Sequence, residues 1–348
     1  MKASNLPEYD AEGDIVSPAL IDLHTHIYWG ATSLGVNAEH VASRSGTGSF
    51  VDAGSAGAGN FLGFREFIAK NSDLRCFAFL NVSFAGIFGF GKSLMVGEGE
   101  IDRLLHEESC QQIADENRDL IIGIKVRAGK IAAGENGALA IEIGRRIAEK
   151  LDLPLMCHVD AHPPSIQQGL DHLQKGDLLT HCSKPGPNTV VDSHKNAIPE
   201  LLKAIDRGVL LDIGHGMGGF DFEVCRAMLE LGIKPDTISS DIHAQSVDGP
   251  AFDQLTALNK LIALGMPVAE AFTACTSNPA KIIGHDELGS LAIGTPADLA
   301  VFKWQASPKT FVDAKGQTLD TKRHLVCDRL MVAGRTIGKD GKAVKSES

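Results

Sequence analysis

The chain has 348 residues, 43% of them hydrophobic, enough for one large core or two modest domains. A formal net charge of −11 argues against non-specific binding to nucleic acid or to an anionic membrane. Seven scattered cysteines, odd in number and without a CxxC pair, read as reduced thiols of a cytoplasmic protein.

In chain order, the opening "MKASNLPEYDAEGD" has no apolar core of a signal peptide. Eight short runs rich in Val, Ile and Leu follow, at 14–24, 49–54, 74–82, 120–126, 153–159, 177–181, 208–214 and 237–242. Continuous apolar runs mark strands covered on both faces, as in parallel sheets. The longest uncharged stretch, "CFAFLNVSFAGIFGFG" (76–91), is too short to span a membrane and reads as a buried strand entering a glycine-rich loop. Helical patterns lie between the runs, most clearly at 136–151, 197–208 and 222–232, and the last two end in Gly. Strand and helix repeated eight times predict an α/β fold, a (β/α)8 TIM barrel over 14–285, with an open doubly wound sheet as the alternative. Beyond 285 the texture changes to short strands with Gly and Pro turns, at 288–304 and 324–342. Residues 1–13 and 286–348 are expected to form a small β appendage.

Active-site groups of such a barrel stand at the C-terminal ends of its strands. Run one ends in "HTH", with His24 and His26 two apart and so on one face of a strand. Alone, that pair is as compatible with a structural role as with a metal. Lys125 lies inside the apolar "IIGIKV". A buried ammonium needs a partner or must lose its charge. A salt bridge is the ordinary solution. A neutral amine could instead add carbon dioxide, giving a carbamate whose two oxygens bridge two metal ions. His158 and His181 end runs five and six, and Asp241 ends run eight. Each could be an ordinary strand-end residue. The ordered set of six is what points to metal chemistry. Arg127, two beyond Lys125, could grip a substrate carboxylate or pair with a loop acid. His215, among glycines in "DIGHGMGG", is a candidate substrate contact. Asp160, His162 and His243 rank lower, His162 and His243 being expected to face solvent or to support the ligands.

With these residues in place the sequence resembles the amidohydrolase superfamily, metal-dependent hydrolases on a (β/α)8 barrel. The resemblance covers nearly the whole chain, including "LGSLAIGTPADLAVFKW" (288–304), which is similar to the family's return into a small β-sandwich. It implies two divalent cations, zinc foremost, held by His24, His26, a carboxylated Lys125, His158, His181 and Asp241, with Asp241 as the catalytic proton carrier. The stretches "VDAGSAGAGNF", "GIKVRA" and "THC" resemble a dihydroorotase-like branch of deacetylases. That branch implies hydrolysis of an acetyl or other acyl ester or amide of a small hydroxy or amino acid. Three departures accompany the resemblance. A dihydroorotase carries HxHxR, and here the Arg position is Tyr28, kept as a candidate substrate contact. "DAGSAG" lacks the cysteine ligand of D-aminoacylases. Only 23 residues precede His24, so the sandwich is expected to be incomplete, its N-terminal strands missing. A cyclic amidase of the dihydroorotase or hydantoinase type is the runner-up, and a non-catalytic assembly protein is the reading from another class. The expected partner is a small acylated molecule, with a homo-oligomer left open.

Overall fold

In the computed structural model, residues 10–344 are described, so the appendage residues expected at 1–9 and 345–348 lie outside them. Among the described residues, thirteen strands run in chain order. They are β1 (Ile15–Pro18), β2 (Leu20–Thr25), β3 (Thr47–Gly57), β4 (Arg75–Asn81), β5 (Ile121–Ala128), β6 (Leu155–Val159), β7 (Leu178–Leu179), β8 (Leu210–Leu211), β9 (Leu299–Gln305), β10 (Lys309–Val312), β11 (Thr318–Thr321), β12 (His324–Val332) and β13 (Arg335–Thr336).

Strands β2 to β8 form one parallel sheet in sequence order. The eighth run, 237–242, is not a continuous strand. It bridges both open edges, Asp212 to Thr237 on one side and Thr25 to Ile242 on the other, both in parallel sense. The Asp241 amide donates to His24 O (2.7 Å) and the His26 amide to Ile242 O (2.9 Å), which closes the ring. The architecture is the expected TIM barrel. Every residue of β3 and β5 is buried, as apolar runs covered on both faces require.

Run 14–24 is two strands rather than one. Proline cannot donate to a sheet ladder, and β1 ends at Pro18, paired antiparallel with β9. The chain then enters the barrel as β2. The appendage sheet has the order β1-β9-β12-β13, and β10 and β11 form a separate hairpin.

The helix predicted at 136–151 spans Gly137–Leu151, and that at 197–208 spans Pro199–Arg207. The latter stops at Gly208, whose φ of 90° suits glycine. The helix Phe222–Glu230 starts on Asp221, which accepts from the Glu223 and Val224 amides. Ile21, Leu23, Phe77, Phe79, Met156 and Leu178 fill the barrel floor against Ala280 and Ile283. The mouth is left to polar residues.

Two buried contacts dock the appendage. Asn259, on the helix Gln254–Ala263, accepts from the Leu325 amide (2.7 Å) and donates to Leu325 O (2.9 Å). Lys260, fully buried beside it, donates to Pro250 O (2.8 Å), to Val312 O at the end of β10 (2.7 Å) and to His215 Nε2 (2.7 Å). Among the described residues, no helix is long and apolar enough to cross a membrane.

Candidate metal centre

The barrel mouth brings the six predicted ligands together. The rings of His24 and His26 have centroids 5.6 Å apart, His24 and His181 5.1 Å, and His158 and His181 4.2 Å. Asp241 Oδ1 lies 3.1 Å from His26 Nε2 and 3.5 Å from His24 Nε2. Lys125 Nζ stands 3.2 Å from His24 Nε2. A void of about 40 Å³ is walled by His24, His26, His158, His181 and Asp241. His181 and Asp241 both adopt left-handed backbone, with φ of 57° and 46°. Such strain persists only where neighbours hold it. Here the Cys182 amide is anchored on Asp212 O (3.1 Å) and the Asp241 amide on His24 O (2.7 Å).

The hydrogen bonds behind the histidines settle which ring nitrogen faces the void. Thr180 Oγ1 donates to Asp212 Oδ2 (2.6 Å), so it must accept from His24 Nδ1–H (2.7 Å). His181 Nδ1 meets Gly214 O (2.6 Å), an acceptor only, and therefore donates. His26 Nδ1 meets Ser55 Oγ (2.9 Å), and the Ser55 side chain is itself bonded to Asp52. His26 and His181 are left with a bare Nε2 lone pair, while His24 turns its Nε2 toward Lys125 Nζ at 3.2 Å. Asp241 Oδ1 is buried and has no hydrogen-bond partner. The Nε2 atoms of His24 and His26 thus converge on an orphaned carboxylate oxygen, and burial pushes the Asp241 carboxyl up from its ordinary range. A cation at their meeting point gives that oxygen a partner, and the residues fit a divalent ion of the N/O-binding kind. Among the described residues, His24, His26 and Asp241 group tightly enough to share one ion.

Electrostatics agree. Burial holds the His24 and His158 imidazoles well below their ordinary range and lowers His26 and His181 to about 3. All four are therefore neutral, the form that binds a metal. Burial also lowers Lys125 to about 8, with Asp241 pulling it up and Arg127 pushing it down. Among the described residues, nothing but Met156 Sδ (3.4 Å) and the His24 ring accepts from Lys125. The salt bridge open to this lysine in sequence is not formed. Gly54, at φ 88°, makes its space, since a β-carbon there would sit 2.7 Å from Lys125 Cγ.

Above the void lies a cavity of about 730 Å³ that shares His158, His181, Asp241, Arg127 and His243 with it. Its outer wall carries Phe90, Met95, Ile131 and Met217. Arg127 reaches the cavity, but its guanidinium pairs with buried Glu98 at 3.1 Å and 3.4 Å. Two expected substrate contacts need correction. Tyr28 turns away from the mouth and donates its hydroxyl to Asn60 O (2.7 Å), because β2 ends at Thr25 and strand alternation ends with it. His215 is fully buried, stacks on Phe220 and accepts from Lys260, because the chain swings out through Gly214 and Gly216. His243, expected to face solvent or to support the ligands, is buried and lines the cavity, while His162 stands exposed on its rim.

Sequence reasoning missed the buried carboxylates that brace the candidate ligands. Asp212 accepts from Thr180, Thr237 and Ser239. Asp22 accepts from the Ser240 amide (2.9 Å) and contacts its hydroxyl (2.5 Å). Asp52 accepts from the Ile27 and Ser55 amides. The signal that singled out Lys125, a charged residue in an apolar strand, is equally present in "LIDLH", "FVDAG" and "LLDIG".

The sequence model of the Amidohydrolase family matches residues 15–337. A deacetylase of Agrobacterium fabrum is 34% identical over 319 residues, covering 90% of this chain and 76% of the relative. A deacetylase of Enterococcus faecalis is 30% identical over 326 residues, covering 93% and 86%. Among solved structures, an adenine deaminase superposes with a TM-score of 0.88 at 29% identity, covering 93% of this chain and 87% of that one. A dihydroorotase superposes with a TM-score of 0.86 at 32% identity, covering 93% and 86%.

Proposed function

Because the chain belongs to the amidohydrolase family, and is a hydrolase of that superfamily, we propose that it removes an acetyl or other acyl group from a small hydroxy or amino acid. The observation that carries this reading is the pair of imidazole Nε2 atoms, of His24 and His26, facing the orphaned Asp241 Oδ1 beneath a substrate-sized cavity. Relatives named deacetylase support the acyl group as the target.

His24 and His26 would hold one divalent cation and His158 and His181 another, with Lys125, as its carbamate, between them. Bound there, zinc or a similar ion would polarise the acyl carbonyl and make water acidic enough to attack near neutral pH. Asp241 would take the water's proton at Oδ1 and return it to the leaving oxygen or nitrogen. Thr180, Ser55 and Gly214 O would hold the rings of His24, His26 and His181 in the ligating tautomer. The outer wall of Phe90, Met95, Ile131 and Met217 would keep water from the reacting bond and accept an apolar side chain. Seven unpaired thiols, six of them buried, suit a reducing compartment, and we assign the protein to the cytoplasm.

The alternative, opening of a cyclic amide, has a relative of matching fold titled dihydroorotase. Tyr28 speaks against it, since no cation stands at that position and the ring is turned away. One experiment separates the two. The purified protein, kept from chelators, is analysed for metal and offered acetyl esters and N-acetyl amino acids of both hands beside dihydroorotate and hydantoins. The expected result is about two metals per chain and turnover of acetylated acids, abolished by Lys125→Ala. Ring opening alone would overturn the acyl assignment, and metal-free active protein would overturn the centre.

A further inference from the structure

The cavity wall carries a cation that the chemistry above leaves unused. Lys184 follows His181 in "HCSKP", and its amide closes a turn on His181 O (3.1 Å). Such a turn keeps the two Cα atoms within roughly 7 Å. A side chain at its far end is therefore held one short step from a ligand ring. Lys184 lines the same cavity as His158, His181 and Asp241. Among the described residues its ammonium has one hydrogen bond, to Asp160 O at 3.3 Å. An ammonium has three protons to give. Among the described residues, no carboxylate lies within ion-pair distance of it.

The other cation on this wall is spoken for. Arg127 makes both of its carboxylate contacts to Glu98, and its guanidinium lies over the Phe90 ring, 5.1 Å from the centroid. Asp160 is the carboxylate whose charge acts on Lys184, but it makes no ion-pair contact with it. Its Oδ1 faces the Ile131 amide at 3.4 Å, and Arg127 is the larger cationic influence on it, Lys184 the smaller. The wall behind the lysine is fixed. Buried Asn188 accepts from the Ile166 amide (2.6 Å) and donates to Asp160 O (2.7 Å) and Pro164 O (3.2 Å). The carbonyl that holds Lys184 is thus itself anchored.

We propose that Lys184, not Arg127, binds the carboxylate of the acid released by the reaction, in a subsite one turn beyond His181. The proposal rests on the acyl-acid reading above and names the residue that would select an acid over a neutral compound. Burial lowers the Lys184 ammonium to about 8, with Asp160 pulling it up, so near neutral pH it still carries the charge that an incoming carboxylate would pair.

The test is binding of 3-phenyllactate, both hands, against neutral 3-phenyllactamide. Neither carries the acylated hydroxyl or amine that the proposed reaction cleaves, so calorimetry on the zinc-loaded protein reads affinity, with unchanged amide at the end of the titration confirmed by chromatography. The wild type is expected to bind the acid about 10- to 100-fold more tightly than the amide, the range of a hydrogen bond to a charged group. Lys184→Met should erase that preference, Lys184→Arg should keep part of it, and Arg127→Met should leave the ratio standing. No preference in the wild type, or one that survives Lys184→Met, overturns the proposal. A Lys184-dependent preference in a protein that hydrolyses no acylated acid would instead sink the acyl reading and leave the subsite.

Discussion

Replacing Thr180 with valine keeps the shape of a buried side chain and deletes one hydroxyl. That hydroxyl is the sole link between His24 Nδ1 (2.7 Å) and Asp212 Oδ2 (2.6 Å). Without it the imidazole loses the acceptor that keeps its proton on Nδ1. Direct contact with Asp212 does not replace it readily. Nδ1 and Oδ2 stand 3.5 Å apart, and would have to close to the ~2.9 Å of a charge-assisted bond inside a close-packed barrel. Asp212 keeps Thr237 and Ser239 on Oδ1, at 2.7 Å each, so Oδ2 is the atom left bare. An unsatisfied buried group costs about 1–3 kcal/mol. Converted to binding, that agrees with the ~10- to 100-fold loss of metal affinity seen when an outer partner of a ligand histidine is removed. The assay is zinc competition with a chromophoric chelator, on wild type, Thr180→Val and Thr180→Ser. Serine keeps the hydroxyl and should stay within about threefold of wild type. Two results would refute the reasoning: Thr180→Val binding as tightly as wild type, or Thr180→Ser falling as far as Thr180→Val.

Two further outcomes can be measured. Asp241→Asn removes the proton acceptor at the mouth and should lower kcat by about 100- to 10,000-fold while the far-ultraviolet circular dichroism stays unchanged. Retained turnover would move the proton to another group. Asp22 is pushed up to about 8, first by burial and then by Asp212, against hydrogen bonds from Ser240 that lower it. Its folded pKa lies above its unfolded one, so its contribution to stability is complete below pH ~4 and is lost as pH rises toward 8. Urea midpoints of Asp22→Asn at pH 5, 6, 7 and 8 should therefore fall less steeply than those of the wild type. Parallel slopes would mean that Asp22 ionises on folding as freely as in water.

That the six candidate ligands meet at one mouth was legible because five of them end an apolar run and Lys125 lies inside one, and the strand ends of a barrel converge whatever the loops do. What failed to show in sequence depends on where a strand stops. His24 and His26 share a face, as alternation predicts, but Tyr28 lies past the last paired residue of β2 and points elsewhere. His215 looked like a residue at the mouth. Left-handed backbone at Gly214 and Gly216, with φ of 48° and 50°, turns its ring out of the barrel. Arg127 sits within β5 and kept its face, yet its partner, Glu98, comes from a loop more than two dozen residues upstream that no local pattern connects to it. The break at Pro18 was visible as a proline, though not that the chain changes sheets there. Asp212 acts through hydroxyls supplied by three separate positions, 180, 237 and 239, and only the closed ring brings them to one carboxylate.

The ammonium of Lys260 ties together a barrel helix, the loop after β8 and the end of β10, more than fifty residues later in the chain. The same loop lends Gly214 O to His181, and at Gly216 any larger residue would collide with Asp241. A ribosome that has released everything up to residue 300 has therefore made all six ligands without the strand that seats His215. On this geometry the seat of His215 is completed by the C-terminal hairpin, so the loop beside the candidate centre and the appendage share one buried ammonium.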